Sequence, residues 1–180
     1  MHVRQSFAKV LFAAAAVCIP VAESAGAWAA DATGSSWAQW RGATRDGVVA
    51  STLWPDSLNE AHLVPTWRVE LGPGYPGPVV SGKRVFVAET RDATTEVVRA
   101  LDRDTGVVLW TAAWPGAIEV PGFAKRNGDW IRATPACDGD TLFVAGMRDV
   151  LVALDVQTGD ERWRVDFTER FDTPVPSFGC

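Results

Sequence analysis

Two stretches of the chain carry the same pattern of apolar and polar positions. Val85 to Ala88 and Val97 to Leu101 are short β-branched or apolar runs bounded by turn residues, and Leu142 to Ala145 and Val150 to Leu154 repeat the arrangement. The runs are apolar at successive positions rather than alternating with polar ones. That predicts strands of sheets covered on both faces. Asp102 to Gly106 and Asp155 to Gly159 then read as tight hairpins. In such a turn the Asp carboxylate accepts backbone N–H groups, and Gly takes the left-handed position that a bulged hairpin needs.

The repetition extends to residue identity. ALDRDTGVVLW, Ala100 to Trp110, returns as ALDVQTGDERW, Ala153 to Trp163, and PVVSGKRVFVA from Pro78 returns as PACDGDTLFVA from Pro135. An insertion around Arg91 to Glu96 absorbs the difference between the two offsets. The invariant positions are Ala100, Leu101, Asp102, Thr105, Gly106 and Trp110, matched by Ala153, Leu154, Asp155, Thr158, Gly159 and Trp163. Because Asp102 and Asp155 hold one place in a repeated turn, they read as structural rather than as a catalytic pair. Trp110 and Trp163 fall on the outermost strand of each unit, where a large flat ring can cover a seam. Trp67-Arg68-Val69-Glu70 echoes Trp163-Arg164-Val165-Asp166 with no such turn ahead of it. An isolated outer strand near 65–71 is what ring closure by a split blade requires.

The fold class is therefore all-β, with four-stranded antiparallel propeller blades at about 76–113 and 133–168 and the start of a third after them. Propeller rings use about four to eight blades, so the ring is incomplete. The expectation is the N-terminal part of a longer product, the alternative a two-bladed chain that oligomerises into a ring. Ahead of the blades, residues 31–60 form a leader segment. Residues 1–30 read as a Sec-type signal peptide: Arg4 and Lys9 precede an apolar run from Val10 to Val21, and Ala27-Trp28-Ala29 offers a small-x-small cleavage site. The run is too short to span a bilayer, which needs about 20 residues. Periplasmic or secreted location follows, with no transmembrane segment in the mature chain.

A net charge of −5 argues against nucleic acid as a partner. Only Cys137 and Cys180 outlast signal removal; they either pair or stand as a buried thiol and a terminal one. His62 is the one histidine left, so a multi-histidine metal site or a Ser-His-Asp triad would need partners from elsewhere. No Gly-x-Ser-x-Gly elbow, phosphate loop or Cys-x-x-Cys is present.

The Ala-x-Asp-x-x-Thr-Gly-x-x-x-Trp signature resembles the tryptophan-docking motif of pyrroloquinoline-quinone-like propellers. Trp37-Ala38-Gln39-Trp40-Arg41-Gly42 with Arg45-Asp46-Gly47-Val48 is similar to the opening of exported bacterial proteins of that kind. Gly74-Tyr75, Pro78-Val79-Val80 and Arg132-Ala133-Thr134-Pro135 fit its blade starts. The resemblance covers Trp37 to Cys180 and implies a fold more than an activity, since propellers host unrelated functions. It admits quinoprotein alcohol dehydrogenases and a propeller lipoprotein of outer-membrane barrel assembly. The dehydrogenases of the group resemble one another in an adjacent Cys-Cys disulfide and a calcium site of carboxylate and amide groups, neither of which is evident in this sequence.

One segment offers chemistry beyond scaffold. Gly122 to Arg132, GFAKRNGDWIR, joins the outer strand of one blade to the inner strand of the next and gathers Lys125, Arg126, Trp130 and Arg132 beside Asn127-Gly128. Cations with an indole suit an anionic or carbohydrate ligand or an acidic partner loop; the alternative is a solvated connection with Trp130 covering the blade edge. Trp37, Trp40 and Arg41 face the same choice, with packing against the propeller's side as the expected answer. The functional expectation is a non-catalytic binding scaffold for an unknown protein or carbohydrate, with no cofactor. Two alternatives stand beside it: a dehydrogenase using pyrroloquinoline quinone with calcium, and an envelope assembly or adaptor protein.

Overall fold

The computed structural model describes residues 36–49 and 56–179. The signal-peptide expectation for residues 1–30 and the proposed partner of Cys137, Cys180, lie outside the described residues. Within them the chain forms two four-stranded antiparallel sheets in consecutive order. The first comprises β1 (Val79–Ser81), β2 (Arg84–Arg91), β3 (Thr95–Asp102) and β4 (Val108–Pro115). The second comprises β5 (Ala136–Asp138), β6 (Thr141–Gly146), β7 (Val150–Asp155) and β8 (Glu161–Asp166). A short helix, α1 (Phe167–Phe171), follows β8.

The registers explain the repeat. Phe86 opposes Ala100, which opposes Trp110, and in the second sheet Phe143 opposes Ala153, which opposes Trp163. The small Ala between two aromatic rings is what lets them approach, with centroids 5.8 Å apart in both blades. Each sheet carries one register shift, at Ala100/Leu101 and at Ala153/Leu154, next to a Gly with φ of +73° or +78°. The inserted residues lengthen the hairpin of β2 and β3, whose tip takes positive φ at Asp92 and Ala93.

The two blades pack face to face over one core. Phe86, Ala88, Val98, Ala100, Trp110 and Trp114 of the first meet Leu142, Val144, Val152 and Leu154 of the second. The opposite face of the first blade buries Val85, Val87 and Leu101 under Trp67 and Val69. The segment around Trp67 makes no strand ladder, yet it covers that face as an outer strand would. Among the described residues the opposite face of the second blade has no such cover. Along β6, Leu142, Val144 and Gly146 are buried while Thr141, Phe143 and Ala145 are only half-buried. The sequence led us to expect cover on both faces of each sheet; the second sheet has it on one. No helix among the described residues is long and apolar enough to cross a membrane.

Candidate functional site

The seam between the blades is built from the repeated residues. Trp110 is buried on β4, and its indole Nε1–H donates to Val156 O in the following blade at 3.0 Å. Its ring lies on Gly159, where a Cβ would come within 2.6 Å of the indole. Trp67 does the same one blade earlier: its Nε1–H donates to Arg103 O at 2.8 Å and its ring lies on Gly106. Gly is required twice over, for the left-handed backbone and for the close ring. Trp163, at the matching position of the second blade, is 42% exposed against 8% for Trp110, and it makes no such bond among the described residues.

The turns beneath these rings are fixed by their Asp side chains. Asp102 Oδ1 accepts from Thr105 Oγ1 and from the N–H groups of Asp104 and Thr105. Asp155 Oδ1 accepts from the N–H groups of Gln157 and Thr158, while its Oδ2 takes Arg162 at 2.7 Å. The Arg162 guanidinium first, then those N–H donors, pull the Asp155 carboxyl down to about 2. Both Asp carboxylates therefore serve their own turns, and the structure does not bring them together as a pair.

Two buried carboxylates escaped the sequence reading. Glu89 on β2 is 1% exposed and accepts from Gly72 N–H at 2.7 Å, Arg91 Nε at 2.7 Å and Arg99 at 2.9 Å. Burial pushes its carboxyl up, but the Gly72 N–H and the two guanidinium groups outweigh that and hold it below the ordinary range. Glu96 on β3 is fully buried and crosses to the next blade, accepting from Met147 N–H at 2.6 Å and from Trp114 Nε1–H at 2.7 Å. Here burial wins over those bonds and the nearby Arg164, and the carboxyl is raised. The available signal was Glu and Arg inside otherwise apolar strands: a charge there is tolerated only when bonded.

The 119–132 connection is organised internally. Lys125 pairs with Glu119 at 2.6 Å and Asp129 at 3.6 Å. Arg132 donates to Phe178 O at 2.9 Å and Gly128 O at 3.0 Å, and its guanidinium lies 5.2 Å from the Tyr75 ring centre. Trp130 is half-buried, packed on Gly128 and 5.9 Å from Tyr75. Tyr75 Oη in turn donates to Asn127 O at 2.6 Å. Of the four expected residues, Trp130 and Arg132 share this stack, Lys125 serves the acids beside it, and Arg126 stands exposed with no ion pair among the described residues. Phe123, which the sequence did not single out, is 81% exposed and meets Phe178 edge-on.

The remaining candidates are dispersed. His62 is exposed in a single 3-10 turn. Cys137 is buried, and burial raises its thiol. Trp37 is half-buried with its ring on Gly42 of the same segment, whereas Trp40 is 64% exposed under Arg41. Among the described residues no three His, Cys, Asp or Glu side chains converge as a metal site.

Comparison with known proteins agrees with the repeat. Residues 94–177 match the family model described as outer membrane protein assembly factor BamB. No curated protein matches the chain. Among solved structures, quinohemoprotein alcohol dehydrogenase from Comamonas testosteroni is 26% identical over 55% of this chain and 14% of its own, with a TM-score of 0.40. A europium-containing methanol dehydrogenase is 22% identical over 54% of this chain and 16% of its own, TM-score 0.39. BamB from Moraxella catarrhalis is 18% identical over 51% of this chain and 22% of its own, TM-score 0.35. The chain thus spans less than a quarter of the length of each. The two four-stranded antiparallel sheets with their repeated turns are those of partial β-propeller blades, and residues 94–177 resemble the repeats of that family model.

Proposed function

We propose that this chain is an exported β-propeller scaffold that works by binding, and that the open face of its second blade receives a further blade of the same repeat. One observation carries this: the identical residue is covered at one blade and open at the next. Trp110 has its seat on Val156 and Gly159, while Trp163 holds the same ring geometry against Phe143 with its outer side exposed. A blade presenting a hairpin of the Asp-x-x-Thr-Gly form would supply the missing carbonyl and glycine. The residues ahead of the leader support export, with the mature chain beginning just after Ala29. The 119–132 connection is the proposed partner loop, and what it offers outward is the Phe123 ring and the Arg126 guanidinium. An aromatic ring beside one cation suits a protein surface or a sugar ring better than a multivalent anion.

The test against a quinone enzyme is calorimetry of the whole protein with pyrroloquinoline quinone and calcium, paired with a dye-linked alcohol oxidation assay. Neither heat nor turnover is expected. Calcium-dependent binding with turnover would overturn the non-catalytic reading.

A further inference from the structure

The leader bonds to both blades at once. Trp37 exchanges two main-chain bonds with Val80 of β1, donating at 2.7 Å and accepting at 2.9 Å. The carbonyl of the next residue, Ala38, accepts from Cys137 N–H of β5 at 2.7 Å. Ser36 Oγ adds a bond to Val80 O at 3.1 Å. Each of β1 and β5 is the first strand of its sheet, with one edge unused by its own ladder, and the two sheets meet through these strands. Unpaired edges are where foreign strands add.

The segment that fills them is itself preformed. Ala38 packs against the core shared by both blades. Trp37 lies on Gly42, where a Cβ would come within 2.9 Å of its ring. Gln39 is buried; its amide donates to Ala43 O at 3.0 Å and accepts from Arg45 Nε at 3.2 Å. Gly42 N–H donates to Gln39 O and Gly47 N–H to Arg41 O, both at 3.0 Å. A turn closed by its own bonds loses little further entropy on meeting the blades.

We propose that Ser36 to Gly47 is a strap that locks the first blade to the second at their converging edge, in the place of an extra innermost strand. Strand addition at β1 and β5 is closed by it. A molecule approaching that side meets the leader, with Trp40 exposed beneath Arg41 at 5.4 Å, and not free ladder groups.

Hydrogen exchange on the whole protein tests this directly, because the Val80 and Cys137 amides point away from their own sheets. Both should exchange as slowly as interior amides of the β2–β3 ladder; exchange at the rate of an exposed loop would overturn the strap. Trp37→Pro removes one donor and the anchoring ring. It should speed both amides by about a hundredfold and open Cys137 to a thiol reagent while β2 and β3 stay protected. Unchanged exchange in that variant would also overturn the proposal. Should Trp37→Pro prevent folding, the exchange of the unaltered protein still decides. Trp40→Ala, which changes an exposed ring of the same segment, should leave both amides slow; equal speeding there would mark general loosening and contradict a specific strap.

Discussion

At the scale of single residues, the two equivalent tryptophans make a matched pair. Trp110→Ala removes a buried ring and its bond to Val156, at a cost of about 3–5 kcal/mol. Trp163→Ala removes a ring that is 42% exposed and makes no such bond, and should cost about 1 kcal/mol or less. Urea denaturation of both variants reads the contrast directly; equal losses would mean the two positions are not equivalent. The carboxylates give a second residue-level test through pH. Asp155 is held near 2 against an ordinary 3.8, so its contribution is fully present above about pH 4 and is lost as pH falls toward 2. Asp155→Asn keeps the turn acceptor but loses the Arg162 ion pair, and should flatten that acid limb in urea midpoints measured against pH. Glu96 has the opposite sign. Its raised carboxyl contributes most below the ordinary 4.5 and loses that contribution as pH climbs through the raised value. Glu96→Gln should therefore remove a decline in stability on the alkaline side of 4.5. Glu89, held below 4.5, behaves as Asp155 does. Glu89→Gln leaves Arg99 buried without its counter-charge, and the expected loss at neutral pH is on the order of 3 kcal/mol.

At the scale of elements, the hairpins were legible and the edges were not. Asp102, Gly106, Asp155 and Gly159 announced their turns because turn chemistry is local: an acceptor, a left-handed residue and three positions between them. The Trp67 segment, expected as a lone strand that completes a last blade, covers the first blade without a ladder, held by its docked ring and the bond to Arg103 O. The leader's bonds to β1 and β5 left no trace in the pattern, because main-chain bonding at a strand edge does not depend on side-chain type. Nor did the partnering of Lys125 with Glu119 and Asp129, which depends on how the connection folds back on itself. The second blade shows what missing cover looks like: Phe143 and Leu151 are half-buried on the face where the first blade's Phe86 and Val98 are fully buried. Lysine at Phe143 and Leu151 should leave the interblade core intact, so far-UV circular dichroism is expected to stay native-like while exposed apolar area falls.

At the scale of the whole molecule, the two blades form one body with unlike ends. One end is covered by the Trp67 segment, and the other presents Trp163, Phe143 and Leu151 to whatever carries a matching turn, while the leader bonds to the first strand of each blade. Such an asymmetry lets blades add in one direction, as in other repeat assemblies where each unit contacts only its neighbours. An open apolar blade face in a protein of this kind favours association when no further blade occupies it. The most direct measurement is sedimentation velocity on the chain over a range of concentrations, beside the variant carrying Phe143→Lys and Leu151→Lys. The expected result is concentration-dependent association of the unaltered chain that disappears in the double variant with its fold retained. A chain that stays monomeric throughout, or a double variant that associates as before, would contradict the second blade face as the binding surface.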